Sequence, residues 1–218
     1  MLDLSLLATL GVIHSVALMS PGPDVAMVLR VASSNPPRVA LLTATGISLA
    51  ILLHTLASLT GLSLIIQSSP WLFGLVQLAG ASYLGWMGLG ALRGALAQWR
   101  ARSDGAFSRA APLPLSPFKG FTLGLATNLL NPKALVFFLT LFSALITPQV
   151  NLATKSAAAV LLLLLSLAWF CLLALLLTKP GFQAWLKRMQ LPIDALTGGL
   201  FLLVSVGILG NLLLGLLT

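Results

Sequence analysis

The chain has no glutamate at all, one cysteine, one tyrosine and two histidines. Its four acids are Asp3, Asp24, Asp104 and Asp194. Without glutamate there is no HExxH zinc helix, and few carboxylates remain for a two-metal site. Cys171 can form no internal disulfide, and it lies within the apolar run LAWFCLLALLL, where it reads as a small buried hydrophobe. Charge is scarce too: 7% of the 218 residues are Asp, Glu, Lys or Arg. A water-soluble domain carries about a quarter. That scarcity excludes a soluble enzyme, a disordered chain and a disulfide-built secreted domain.

What is present is apolar. Hydrophobic residues make up 58% of the chain, and the mean hydropathy is +1.04. A membrane-spanning helix needs about 20 mainly apolar residues. Six segments qualify: Ser5–Leu29, Val39–Ile66, Trp71–Leu96, Phe118–Ile146, Ser156–Leu177 and Ile193–Leu217. Each is apolar all round, as expected of helices in lipid. The first lacks a basic n-region and an A-x-A site, so it reads as a retained span and not a cleaved signal peptide.

The formal charge of +8 does not point to nucleic acid, because the basic residues lie between apolar runs and not in a stripe with aromatics. In and beside the first, third and fifth connections lie ten Lys and Arg, Arg93 and Lys119 just inside the flanking spans. The second and fourth hold only Lys155. This asymmetry predicts both termini outside the cytoplasm. Trp71 on one side, with Trp99 and Trp185 on the other, suits interfacial belts. The one long connection, 98–116, is rich in Pro, Ser, Ala and Arg and reads as a cytoplasmic linker.

That linker divides the chain into halves, 1–97 and 117–218, of three spans each. An odd number makes the second half inverted relative to the first. Leu78–Leu84 and Leu196–Leu202 align at an offset of 118, as do Ser48-Leu49-Ala50 and Ser166-Leu167-Ala168. The predicted fold is therefore an all-α membrane protein of six transmembrane helices in two inverted three-helix repeats. The first span of each half is also interrupted: by Pro21-Gly22-Pro23 in one and by Asn131-Pro132 in the other. Paired Gly/Pro interruptions point to a transporter binding site.

A proline inside a helix frees backbone polar groups, which in lipid must face protein or a watery cavity. Charge accompanies both breaks. Asp24 follows Pro23, and Lys133 follows Pro132. A charge at the membrane centre costs about 2.5–3.5 kcal/mol, so both are candidate functional residues. Each also has a structural reading: Asp24 as an interfacial residue near Arg30, Lys133 as a partner of Asp24 or of a backbone carbonyl. Asn128 and Asn131 either cap freed backbone or line a path. His54 falls mid-span and suits a proton relay or a packed core histidine; His14 has the same two readings. Asp194 reads as interfacial, near Arg188. Gly120-x-x-x-Gly124 and Gly90-x-x-x-Gly94 predict close helix packing.

IHSVALMSPGPD (13–24), AGASYLGWMG (79–88), TNLLNPKA (127–134) and LAWF (167–170) together resemble the LysE/RhtB family of amino-acid exporters, most closely its threonine and homoserine efflux branch. The resemblance covers nearly the whole chain in order. It implies a bacterial inner-membrane exporter of amino acids or close derivatives, with protons as the coupling ion and without cofactor or metal. The expected partners are the amino-acid substrate and the lipid bilayer, with a homodimer as a further candidate. The family's motif positions fall on Pro21, Gly22, Pro23, Asp24, Asn131, Pro132 and Lys133. Departures are His54, where many members carry an apolar or aromatic residue, Ile51, where some carry an acid, and Ala50, which replaces a frequent glycine. The competing functions are export of another small metabolite or a metal ion, and a non-transporting assembly role. An intramembrane protease would need a serine–histidine pair, a zinc helix or an aspartate pair in motifs this chain lacks.

Overall fold

Proline sets where most helices begin. The computed structural model describes residues 1–20, 22–101, 114–147 and 149–217, and these form eight helices. They are α1 Leu4–Met19, α2 Pro23–Ala32, α3 Pro37–Ser68, α4 Pro70–Ala101, α5 Pro117–Leu129, α6 Pro132–Leu145, α7 Leu152–Leu176 and α8 Pro180–Leu217. Six of the eight start on proline, whose fixed φ suits the first helical position and whose missing N–H is not needed there. The other two are capped by side chains. Asp3 accepts from the Leu6 N–H at 3.0 Å, and Asn151 from the Thr154 N–H at 2.8 Å.

The fold is an all-α, multi-pass membrane bundle. Four helices are long and apolar enough to cross a bilayer alone, over Pro37–Gly61, Trp71–Leu96, Leu152–Leu176 and Leu191–Leu214. The pairs α1–α2 and α5–α6 each make one further crossing if taken as bent spans, up to six in all. The bends are 56° and 55°. Outward faces carry large apolar side chains such as Trp86, Leu203 and Val206, which are well over half exposed. Apolar surface on that scale needs lipid against it.

Two sequence boundaries move. The fifth connection is not a loop, because α8 starts at Pro180 and continues through Pro192. Phe182, Trp185 and Met189 recur at helical spacing there; Phe182 and Met189 pack against the core, while Phe182 and Trp185 stack with ring centroids 5.1 Å apart. At the linker, α4 runs on to Ala101, residues 114–116 lead into α5, and residues 102–113 lie outside the described set.

Glycine decides where helices touch. Gly124 lies under the Thr43 carbonyl, Gly46 under that of Phe121, and Gly120 against Val39, so α3 and α5 meet backbone to backbone. Gly88 and Gly198 do the same for α4 and α8: a Cβ on either would sit 2.8 Å from the other's carbonyl oxygen. Gly90 and Gly94 do not take the packing role expected of them, since a Cβ on either meets nothing within 4 Å among the described residues. The motif permits close approach but brings no partner to that face.

At one end of the bundle Asn151 Nδ2 donates to the Met1 carbonyl, 2.9 Å, and the Asp3 N–H donates to Thr154 Oγ1, 3.2 Å. The Leu115 N–H donates to Asn35 Oδ1, 2.8 Å. The first two bonds join the N-terminus to the start of α7; the third joins the end of α2 to the approach to α5.

Candidate functional site

Each helix break exposes chain ends that need partners. After α1, Ser20 and Gly22 lead into α2. Pro21 lies outside the described residues. Gly22 is the N-cap of α2, which therefore has no side-chain cap. After α5, Leu130 and Asn131 lead into α6. Asn131 Oδ1 caps it by accepting from the Lys133 N–H at 3.0 Å, and Pro132 holds the first position.

The fold brings the two breaks together. Asn128 Nδ2 donates to Asp24 Oδ2 at 3.0 Å, and Asn131 Nδ2 reaches the same oxygen at 3.4 Å. Lys133 Nζ donates to Ser20 Oγ at 2.7 Å and stands 5.9 Å from the centre of the Phe201 ring. It also lies within electrostatic reach of Asp24 and Asp194. A Cβ on Gly22 would be 3.5 Å from Nζ, so the absent side chain leaves room beside the ammonium. Ser20, Gly22, Pro23 and Asp24 from one break, with Asn128, Asn131 and Lys133 from the other, line one cavity of about 50 Å³. By the same measure a water needs about 10–15 Å³, so the space suits a small solute.

Bond counting shows what this cavity lacks. Asp24 Oδ1 and Asn128 Oδ1 are buried and have no hydrogen-bond partner among the described residues. Both are acceptors, and a buried acceptor left unpaired costs about 1–3 kcal/mol. An ion rich in N–H donors would pair them. On the other side, Lys133 and the uncapped start of α2 favour an anion, because a helix N-terminus carries partial positive charge. The cavity thus offers complements to both ends of a small zwitterion. Among the described residues no three His, Cys, Asp or Glu side chains are grouped to hold a metal.

The remaining candidates fall differently. His54 is buried but does not line the cavity. Its Nε2 donates to the Asn128 carbonyl at 3.2 Å, in the last turn of α5, so it supports Asn128 from behind. Asp194, near the start of the last apolar span, faces the protein. It is 9% exposed, two residues past Pro192, on the face of α8 that also buries Thr197 and Phe201. Asp194 and Lys133 each have a further interaction within the protein. Ser20, the hydroxyl partner of Lys133, carries no sequence signal beyond preceding Pro21. His14 lines the cavity and is 2% exposed.

Residues 15–211 match the LysE type translocator family. A threonine efflux protein of Salmonella typhi is 36% identical over 198 residues, which is 91% of this chain and 94% of that protein. The threonine efflux protein of Escherichia coli K12 is 35% identical over 199 residues, again 91% and 94%. A leucine efflux protein of Klebsiella pneumoniae is 27% identical over 196 residues, 89% of this chain and 88% of that protein. No solved structure matches the chain.

Proposed function

Because the chain belongs to the LysE type translocator family, the LysE/RhtB exporters of the bacterial inner membrane, we propose that it exports a small neutral amino acid such as threonine or homoserine. It is a transporter and not an enzyme. One observation carries the reading: a single small cavity is lined by both helix breaks, with a carboxylate from one and an ammonium from the other.

The substrate carboxylate sits between Lys133 Nζ and the uncapped start of α2. The substrate ammonium takes Asp24 Oδ1 and Asn128 Oδ1, the two acceptors with unused capacity. Asn131 holds the far side of Asp24, and His54 holds Asn128. Pro21, Gly22, Pro23 and Pro132 supply the breaks themselves. Without substrate, Lys133 and Asp24 offset one another across the cavity. After the substrate leaves to the outside, Asp24 takes up a proton there and releases it on the inside before the next ammonium binds, which couples export to the proton gradient.

Alternating access follows from rocking of the half ending with α4 against the half starting with α5, the two being inverted repeats. The near-equal bends of α1–α2 and α5–α6 support this relation. The termini lie outside the cytoplasm. Arg30, Arg38 and Lys119 flank the end where Asn35 meets Leu115, whereas the end joining Met1 to Asn151 has only Lys155 close in sequence. A homodimer is compatible with this arrangement.

The test is efflux of labelled threonine and homoserine from loaded cells. Asp24→Asn and Lys133→Ala proteins that reach the membrane at normal levels should each lose about a hundred-fold in rate, the consequence of leaving a buried charge without its partner. Wild-type rates in both would sink the assignment.

A further inference from the structure

The cavity lining is chemically divided. Its polar side chains come from the two breaks, with one exception. That exception is His14, among Phe137, Phe138 and Phe170 in the apolar part of the wall. The His14 ring lies 6.4 Å from that of Phe137 and 5.7 Å from that of Phe138. It stands six residues before Ser20 on α1, about 9 Å along the axis. A solute with its charged ends at the breaks therefore turns its side chain toward the aromatic part of the wall.

The bonds of Ser166 favour one tautomer of His14. Ser166 Oγ donates its only proton to the Leu162 carbonyl, 2.7 Å away. His14 Nε2 lies 2.9 Å from the same Oγ. With that proton on the Leu162 carbonyl, Nε2 is the donor and Oγ the acceptor, the tautomer in which all three groups are paired. In the neutral ring Nδ1 is then a bare lone pair, directed away from Ser166. It is buried and has no partner among the described residues. An apolar side chain lodged beside it leaves this acceptor unpaired. A hydroxyl pairs it.

We propose that His14 Nδ1 accepts a hydrogen bond from the side-chain hydroxyl of the transported amino acid, so that His14 selects hydroxylated substrates over apolar ones of the same shape. This rests on the amino-acid reading of the site above. Threonine and valine make the probe pair, since they differ only by hydroxyl against methyl. One neutral hydrogen bond supports a preference of about three- to ten-fold, more if the unpaired nitrogen is heavily penalised.

The experiment is counterflow of threonine and of valine in proteoliposomes holding the purified protein. Asparagine places its carbonyl oxygen where Nδ1 was, whereas glutamine places an amide where Nε2 was. His14→Asn should keep the threonine preference. His14→Gln, which preserves the Ser166 bond, should bring the two substrates to near parity. Loss of preference in the asparagine variant with retention in the glutamine variant would overturn the proposal, because His14 would then act only through Ser166. Equal transport by the wild type would also overturn it while leaving the site reading intact. Transport of neither amino acid would overturn both. Thermal stabilisation of the detergent-purified protein gives a second reading free of transport. Threonine should protect wild type and His14→Asn more than valine does, and His14→Gln equally; equal protection of the wild type would reject the proposal.

Discussion

The first break turns the chain by 56° between α1 and α2, and the second by 55° between α5 and α6. Both put proline first in the following helix and an ionisable residue second. They differ in what surrounds that residue. Asp24 sits in the first turn of α2, where the helix dipole favours a negative charge. Lys133 sits in the first turn of α6, where the same dipole opposes it. The second break answers with a side-chain cap from Asn131, whereas the first has glycine and no cap. Lys133 must draw its compensation from elsewhere, and it does so from Ser20 and the Phe201 ring, with Asp24 and Asp194 within reach. One backbone device thus serves two chemistries. Each break also leans on the other: Asp24 on Asn128 and Asn131, and Lys133 on Ser20.

The hardest test of that asymmetry is to exchange the charges. If dipole and cap matter as described, the double variant Asp24→Lys, Lys133→Asp keeps the pair but puts each member against the wrong surroundings. Efflux should stay below about a hundredth of wild type, as for a broken buried pair. Recovery toward wild-type rates would mean that only the presence of two opposite charges matters.

A subtler change makes the first break resemble the second. Gly22 has extended backbone, and a Cβ there is in ordinary contact distance of Lys133 Nζ. Gly22→Asn should therefore fold, and its thermal midpoint should hold or rise because α2 gains a cap. The new side chain competes with the substrate carboxylate for the helix end. KM should rise about five- to ten-fold with little change in maximal rate. An unchanged KM would remove the uncapped helix end from the binding site.

The smallest effect is expected behind the second break. The Asn128 carbonyl accepts from both His54 Nε2 and the Asn131 N–H, the latter at 3.0 Å. His54→Gln should leave efflux within about two-fold and stability within about 1 kcal/mol, since the carbonyl stays paired either way. A loss on the scale of the Asp24 variant would instead place His54 on the proton path.

Hydropathy alone made most of the bundle legible. The interrupted spans were visible because proline in an apolar run has few other uses, and Asp24 and Lys133 stood out as charges where charge is expensive. What stayed hidden shares one cause. A helix surrounded by lipid is apolar on every side, so periodicity does not tell which face turns inward. Nothing local marks His14 as lining the cavity. The bond from Lys133 to Ser20 spans 113 residues of chain, and no neighbouring residue announces it. The inward orientation of Asp194 stayed hidden for a related reason: α8 begins at Pro180, well before the apolar run, and its buried face carries the acid inward. Gly90 and Gly94 looked like contact residues because spacing was the only information available.

The bonds between the breaks also have a bearing on biosynthesis. Asn128 follows Asp24 by 104 residues, so the acid leaves the ribosome well ahead of the amide that will hold it. At about 5–20 residues per second that interval is on the order of 5–20 s. During it the newly inserted first half holds a carboxylate in or near the bilayer with neither Asn128 nor Lys133 yet made. The nascent chain must tolerate this by taking up a proton, by keeping α2 near the headgroups or by delaying entry. Assembly of the site is therefore a late event, completed only when α5 and α6 dock against a half that has been waiting for them.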